Sequence, residues 1–227
     1  MKIGILQTGR SPDELRDKHG DYNDLFMVLL KDRDFSFKTF PVLDGVFPDD
    51  PGAADGWLIT GSRFGAYEDH DWIAPLEDFL RKAFEADVPI VGICFGHQIL
   101  AQALGGKVEK FKGGWSIGPV EYRMKGEAKP LRFNAFHQDQ IVELPRGASV
   151  TGNSDFCKYA MLAYGDKAMS IQPHPEFETE FLSDLVDIRR NILPADIADS
   201  AQERSGLPLD NQHYADLITE FFMKGRG

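Results

Sequence analysis

Cysteine is scarce in this chain of 227 residues: it occurs twice, as Cys94 and Cys157, far apart and in no C-x-x-C or ligand-like spacing. That excludes a disulfide framework and a zinc ribbon, so each thiol has to be read alone. Long apolar runs are missing as well. The opening MKIGILQTGR holds an apolar stretch far too short for a signal-peptide core, and no later stretch approaches the length of a membrane span. The expectation is a cytoplasmic protein with no membrane partner. Basic clusters are absent too. Lys and Arg nowhere run beyond a pair and the formal net charge is −11, so a phosphate backbone would be repelled and nucleic acid is excluded as a partner. No internal repeat, low-complexity segment or linker interrupts the text, which predicts one domain over 1–227.

What is present is enough apolar material for a sizeable core, at 42% hydrophobic and 27% charged positions. Short apolar runs alternate with amphipathic ones, the pattern of an α/β fold: a doubly wound, mostly parallel sheet with helices on both faces. KIGILQ (2–7), FSFKTF (35–40), GWLIT (56–60), VPIVGI (88–93) and AMSIQ (168–172) read as strands. Helices are predicted at 21–31, 72–86, 95–104, about 177–192, and over NQHYADLITEFFMKG (211–225) with Asp210 or Asn211 as its cap. Between Lys107 and Gly165 the alternation breaks into short segments, SIGPVEYRM, LRFNAF, DQIVEL and KYAMLAY, expected as antiparallel strands extending one sheet edge.

The run VGICFGHQ places Cys94 between Gly92 and Gly96, where a strand gives way to a helix. This is the layout of a nucleophile elbow with sulfur in place of a serine oxygen. A side chain there stands before the free amides of a helix N-terminus, where the macrodipole favours an anion, and the Phe95 amide would face a developing oxyanion. The same window also fits a small buried hydrophobe whose flanking glycines serve close helix–sheet packing. Cys157 lacks any such context and reads as structural.

A sulfur nucleophile needs a base, and the base an orienting partner. Both types occur in IQPHPEF, where His174 and Glu176 follow the strand AMSIQ. Pro173 and Pro175 favour extended geometry in the residues before them, and side chains two apart in an extended segment share a side. Glu176 could then hold one imidazole nitrogen while the other meets the sulfur. Standing alone, the segment would read as a solvated turn. H-x-E also begins the zinc deaminase signature, but the P-C-x-x-C half is missing. The order Cys, His, acid differs from that of an α/β-hydrolase.

GICFGHQ together with HPE downstream resembles the class I glutamine amidotransferases. ITGSRFGAYEDHDWIAPLEDFLR and FHQDQIVELP are similar to the corresponding segments of members like the GMP synthetase amidotransferase domain. The resemblance runs from the first strand through the helix after Glu176. It implies a Cys94–His174–Glu176 triad, an oxyanion hole from the amides of Gly61 and Phe95, and hydrolysis of a γ-glutamyl amide through a γ-glutamyl thioester. It implies Gln98 at the substrate's amino-acid end, with His137 and Asp139 bordering the pocket as substrate-binding or loop-bracing residues. His97 would pack beneath the turn, and Lys112–Gly118 could form a further rim, with Trp115 either there or over the core. No metal or redox cofactor is implied, and the acids of EDHDW (68–72) read as a helix start. The expected partner is a small-molecule γ-glutamyl substrate. One alternative is a glutaminase subunit delivering ammonia to a separate synthetase partner, since nothing after 177–192 is large enough for a synthetase. Another is a non-catalytic binding module of the same fold.

Overall fold

The computed structural model describes residues 1–224. Five strands, β1 (Lys2–Leu6), β2 (Ser36–Phe40), β3 (Gly56–Ile59), β4 (Ile90–Ile93) and β11 (Ala168–Ile171), lie parallel in the order β2-β1-β3-β4-β11. β3 and β4 are buried at every position, so their sequences show an unbroken apolar run rather than alternation. Successive side chains enter different cores. Ile3, Ile5 and Leu58 pack with α2 (Tyr22–Leu29) and α7 (Asn211–Met223), whereas Leu6, Trp57 and Ile59 pack with α3 (Ile73–Glu85) and α4 (Phe95–Ala103). The period of two along each strand therefore puts helices on both faces.

The sheet continues past β11 through antiparallel strands β10 (Met161–Tyr164), β9 (Ser149–Asn153), β6 (Ser116–Met124) and β7 (Leu131–His137). The expected edge extension is present with one correction. DQIVEL supplies β8 (Asp139–Glu143), which leaves the main sheet and pairs antiparallel with β5 (Lys107–Lys110). The extension also curls back over the sheet. Asn134 of β7 bridges His174, whose amide donates to the Asn134 carbonyl at 2.8 Å, so the far edge of the sheet braces the segment after β11.

Other departures trace to weak local signals. The segment before Asp21 contains α1 (Asp13–His19), which buries only Leu15 and so has no apolar periodicity to read. Gly20, at φ 83°, separates it from α2. α5 (Thr179–Arg189) stops short of Ile192, and α6 (Ala195–Glu203), unexpected from sequence, buries only the small side chains Ala198 and Ala201. With Phe177, Phe181 and Leu185 these form a third core over Ile117 of β6. Asp210 is the N-cap residue of α7, as expected, with its carbonyl accepting the Tyr214 amide at 3.2 Å; its carboxylate makes no capping bond and instead accepts the Arg132 amide at 2.7 Å. Gly225, the last residue of the helix expected there, lies outside the described residues. Among the described residues, no helix is long and apolar enough to cross a membrane.

Candidate active site

The site lies where β3, β4 and β11 end side by side. At the end of β4 the chain turns sharply, and Cys94 takes φ 52° and ψ −101°. L-residues avoid this region, and strain of about 1–3 kcal/mol is typical there. The flanking glycines are dictated by close approach. A Cβ on Gly92 would stand 2.5 Å from the Gly96 carbonyl oxygen, and one on Gly96 would stand 2.5 Å from that of Ile59. The Cys94 amide is anchored to the Ile171 carbonyl of β11 at 2.8 Å, while the Cys94 carbonyl accepts from the Gln98 amide as α4 begins. Phe95 opens that helix, so its amide has no intrahelical acceptor. The Gly61 amide likewise has no acceptor among the described residues.

His174 arrives from the end of β11. Its ring is buried and clamped on both sides. It stacks on Phe177 with centroids 3.9 Å apart and planes at 5°. On the Gly61 side, a Cβ would come within 2.9 Å of His174 Cε1 and 3.8 Å of Cys94 Cβ. The His174 Nδ1–H donates to Glu176 Oε1 at 2.7 Å, and Glu176 is itself 4% exposed. Burial works against the charged imidazole, but the Cys94 sulfur and the Glu176 carboxylate, through charge and hydrogen bonds, outweigh it and push the pKa up to about 10. A ring held this way remains protonated at neutral pH and can donate to a departing nitrogen.

Cys94 opens onto a cavity of about 360 Å³, lined also by Gln98, His137 and Asp139 among others. His137 is buried, and burial together with the His174 charge lowers its pKa to about 3. Its Nδ1–H donates to the Asp139 carbonyl at 3.3 Å, which leaves Nε2 as a buried acceptor without a partner. The Asp139 carboxyl is raised by burial and drawn back by the Tyr67 hydroxyl. Gln98 lines the cavity, yet its Nε2 donates to the Asp139 carbonyl at 2.9 Å and to Gln172 Oε1 at 3.1 Å. Only its carbonyl oxygen has no partner among the described residues.

Gln172 is a residue of the site that sequence reasoning missed. Its Nε2 donates to Cys94 Sγ at 3.6 Å while its oxygen is held by Gln98, so two amides in series brace the sulfur from below. The signal available in the sequence was a polar residue closing the apolar run AMSI; in the fold it is fully buried. Gln172→Leu is expected to slow iodoacetamide alkylation of Cys94 at neutral pH by ~5-fold, the effect of about 1 kcal/mol from one lost donor. An unchanged alkylation rate would show that the contact does not act on the sulfur.

Other candidates settle into supporting places. His97 is fully buried and neutral, with burial lowering its pKa to about 3. Its Nε2–H donates to the Tyr159 carbonyl at 2.9 Å, so Nδ1 accepts from the Ser170 hydroxyl at 2.7 Å. It ties α4 to β11 beneath the turn. Cys157 is buried, which pushes its thiol up to about 12. Trp115 lines the cavity and meets Phe136 edge-on at 5.8 Å. Within EDHDW, His70 pairs with Glu68 at 2.8 Å, and among the described residues no cluster of three or more His, Cys, Asp or Glu could hold a metal ion.

Comparison with known proteins identifies the family and the fold. The family model described as "Glutamine amidotransferase class-I" matches residues 50–182. The chain is 31% identical to Gamma-glutamyl peptidase 5 of Arabidopsis thaliana, over 93% of this chain and 91% of the relative. It is 32% identical to one subunit of the glutamine-hydrolyzing GMP synthase of Halobacterium salinarum, over 70% of this chain and 86% of the relative. Among solved structures, a glutamine amido transferase from Methylobacillus flagellatus superposes with a TM-score of 0.79 at 20% identity, covering 99% and 94% of the two chains, and shares the fold.

Proposed function

The chain belongs to the class-I glutamine amidotransferase family, and from that premise we propose that it hydrolyses γ-glutamyl amide bonds with Cys94, His174 and Glu176 as its catalytic triad. The observation that carries this is the His174–Glu176 hydrogen bond of 2.7 Å beside a sulfur held at a strained strand–helix turn. Cys94 Sγ attacks the γ-carbonyl carbon, and the oxygen gathers negative charge between the amides of Gly61 and Phe95. As the C–N bond breaks, protonated His174 supplies the proton that lets the amine leave. A γ-glutamyl thioester remains. His174, now neutral, takes a proton from water, whose oxygen attacks the thioester; glutamate departs and the sulfur anion is restored. Glu176 keeps the imidazole in one tautomer and orientation throughout.

At the substrate's amino-acid end, His137 Nε2 and the Asp139 carboxylate offer acceptors to an ammonium group, and the Gln98 oxygen offers a third. A second reading, in which the chain is a glutaminase component passing ammonia to a synthetase partner, draws support from the similarity to the halobacterial GMP synthase subunit. Purified protein incubated with glutamine and with a panel of γ-glutamyl peptides tests both. Amine release from the peptides, with a γ-glutamyl adduct on Cys94 trapped by acid quench, is the expected result. Release of ammonia from glutamine alone would favour the ammonia-donor reading, and no release from any substrate would overturn the hydrolase.

A further inference from the structure

The surface around the cavity mouth carries a charge pattern that glutamine hydrolysis leaves without a use. In a chain with a net charge of −11, arginines have acids to pair with, and most do: Arg10 meets Asp44, Arg33 meets Asp216 and Arg132 meets Glu121. Arg63 and Arg189 have no carboxylate or carbonyl partner for their side chains among the described residues. Both line the cavity that holds Cys94. Both also line a second cavity of about 360 Å³, bounded by Arg10 and Arg16, that opens from the same wall. The two spaces thus meet at Arg63, Phe64 and Arg189, where the Arg63 guanidinium lies 4.9 Å over the Phe64 ring.

We propose that Arg63 and Arg189 bind a free carboxylate on the leaving-group side of the substrate, so that the preferred substrates are γ-glutamyl peptides with an unblocked C-terminus. This rests on the hydrolase reading above. The site is bipolar. Asp139, Glu68, Arg63 and Arg189 line one cavity; in the proposed pose the acids suit the ammonium of the γ-glutamyl end and the arginines receive what lies beyond the scissile bond. Glutamine is a neutral zwitterion whose leaving group is ammonia, and it has nothing to offer two guanidinium groups. A γ-glutamyl dipeptide carries a second carboxylate and one net negative charge, which the acidic protein as a whole would repel unless cations received it locally. Arginine's planar fork suits a carboxylate, and pairing of this kind is stronger than a neutral hydrogen bond. The second cavity gives room for residues beyond the first.

The test compares γ-glutamylglycine with γ-glutamylglycinamide, which keeps every feature of the γ-glutamyl end and removes only the distal charge. The wild-type protein is expected to favour the acid by about 10- to 100-fold in kcat/KM, mostly through KM. Arg189→Gln and, separately, the exposed Arg63→Gln are expected to pull that ratio toward one, with unchanged circular dichroism confirming the fold. Equal cleavage of both probes by the wild type would overturn the inference while leaving the hydrolase intact. Variants that raise KM equally for acid and amide would instead assign the arginines to the α-carboxylate, and would also overturn it. Cleavage of neither probe, nor of glutamine, would remove the hydrolase reading itself.

Discussion

Glu176→Gln is expected to lower kcat by roughly 10³-fold and to move the alkaline limb of the pH profile to lower pH. The first effect follows from geometry. Glu176 Oε1 receives the His174 Nδ1 proton at 2.7 Å, and an orienting acid exchanged for its amide leaves the imidazole free to adopt the wrong tautomer, at a typical penalty of about 10⁴ in a related triad. The Phe177 ring still clamps the imidazole plane here, which is why the smaller figure is given. The second effect has a definite sign. His174 is held protonated up to about pH 10 because its interactions with Cys94 and Glu176 outweigh burial. Function requiring the imidazolium is therefore present through neutral pH and lost as pH rises through that value. Removing the carboxylate charge leaves burial opposed by Cys94 alone, so the proton is lost at lower pH. The profile of kcat/KM against pH from about 5 to 11 decides it. A kcat within about threefold of wild type with an unmoved alkaline limb would mean that Glu176 braces the fold rather than the histidine.

Replacing Cys94 separates chemistry from stability. Cys94→Ala and Cys94→Gly are both expected to lose all detectable turnover and all covalent capture, a drop of about 10⁴-fold or more, since the nucleophile has no substitute among its neighbours. Their stabilities should differ. At φ 52° and ψ −101° an alanine keeps the steric conflict of the turn, whereas glycine enters this region freely. Offset against glycine's larger entropy loss, the net gain over alanine is ~1 kcal/mol, or roughly 2–4 °C in Tm for a chain of this size. Differential scanning calorimetry on the pair measures it. An alanine variant that melts at or above the glycine variant would show that the turn is relaxed, and residual turnover in either would place the nucleophile elsewhere.

The amino-acid sequence alone determined the parallel core and the chemistry brought to it. β3 and β4 are legible because a strand buried on both faces must be apolar throughout, and the elbow is legible because Gly92 and Gly96 admit no side chain at the contacts they make. His174 and Glu176 share a motif of three residues, so their pairing is local and could be read from extended geometry. What the sequence could not supply was every relation made between distant segments. The curl that carries Asn134 of β7 onto His174, the diversion of β8 to pair with β5, and the Gln98–Gln172–Cys94 chain join residues far apart in the text, and no periodicity encodes which partner each will meet. α1 and α6 escaped notice for a related reason: they bury one leucine and two alanines, too little apolar surface to mark a face until the rest of the molecule covers it. The meeting of Arg63 with Arg189 was likewise decided by tertiary structure, because a charge acquires its role from the acids that are, or are not, folded against it.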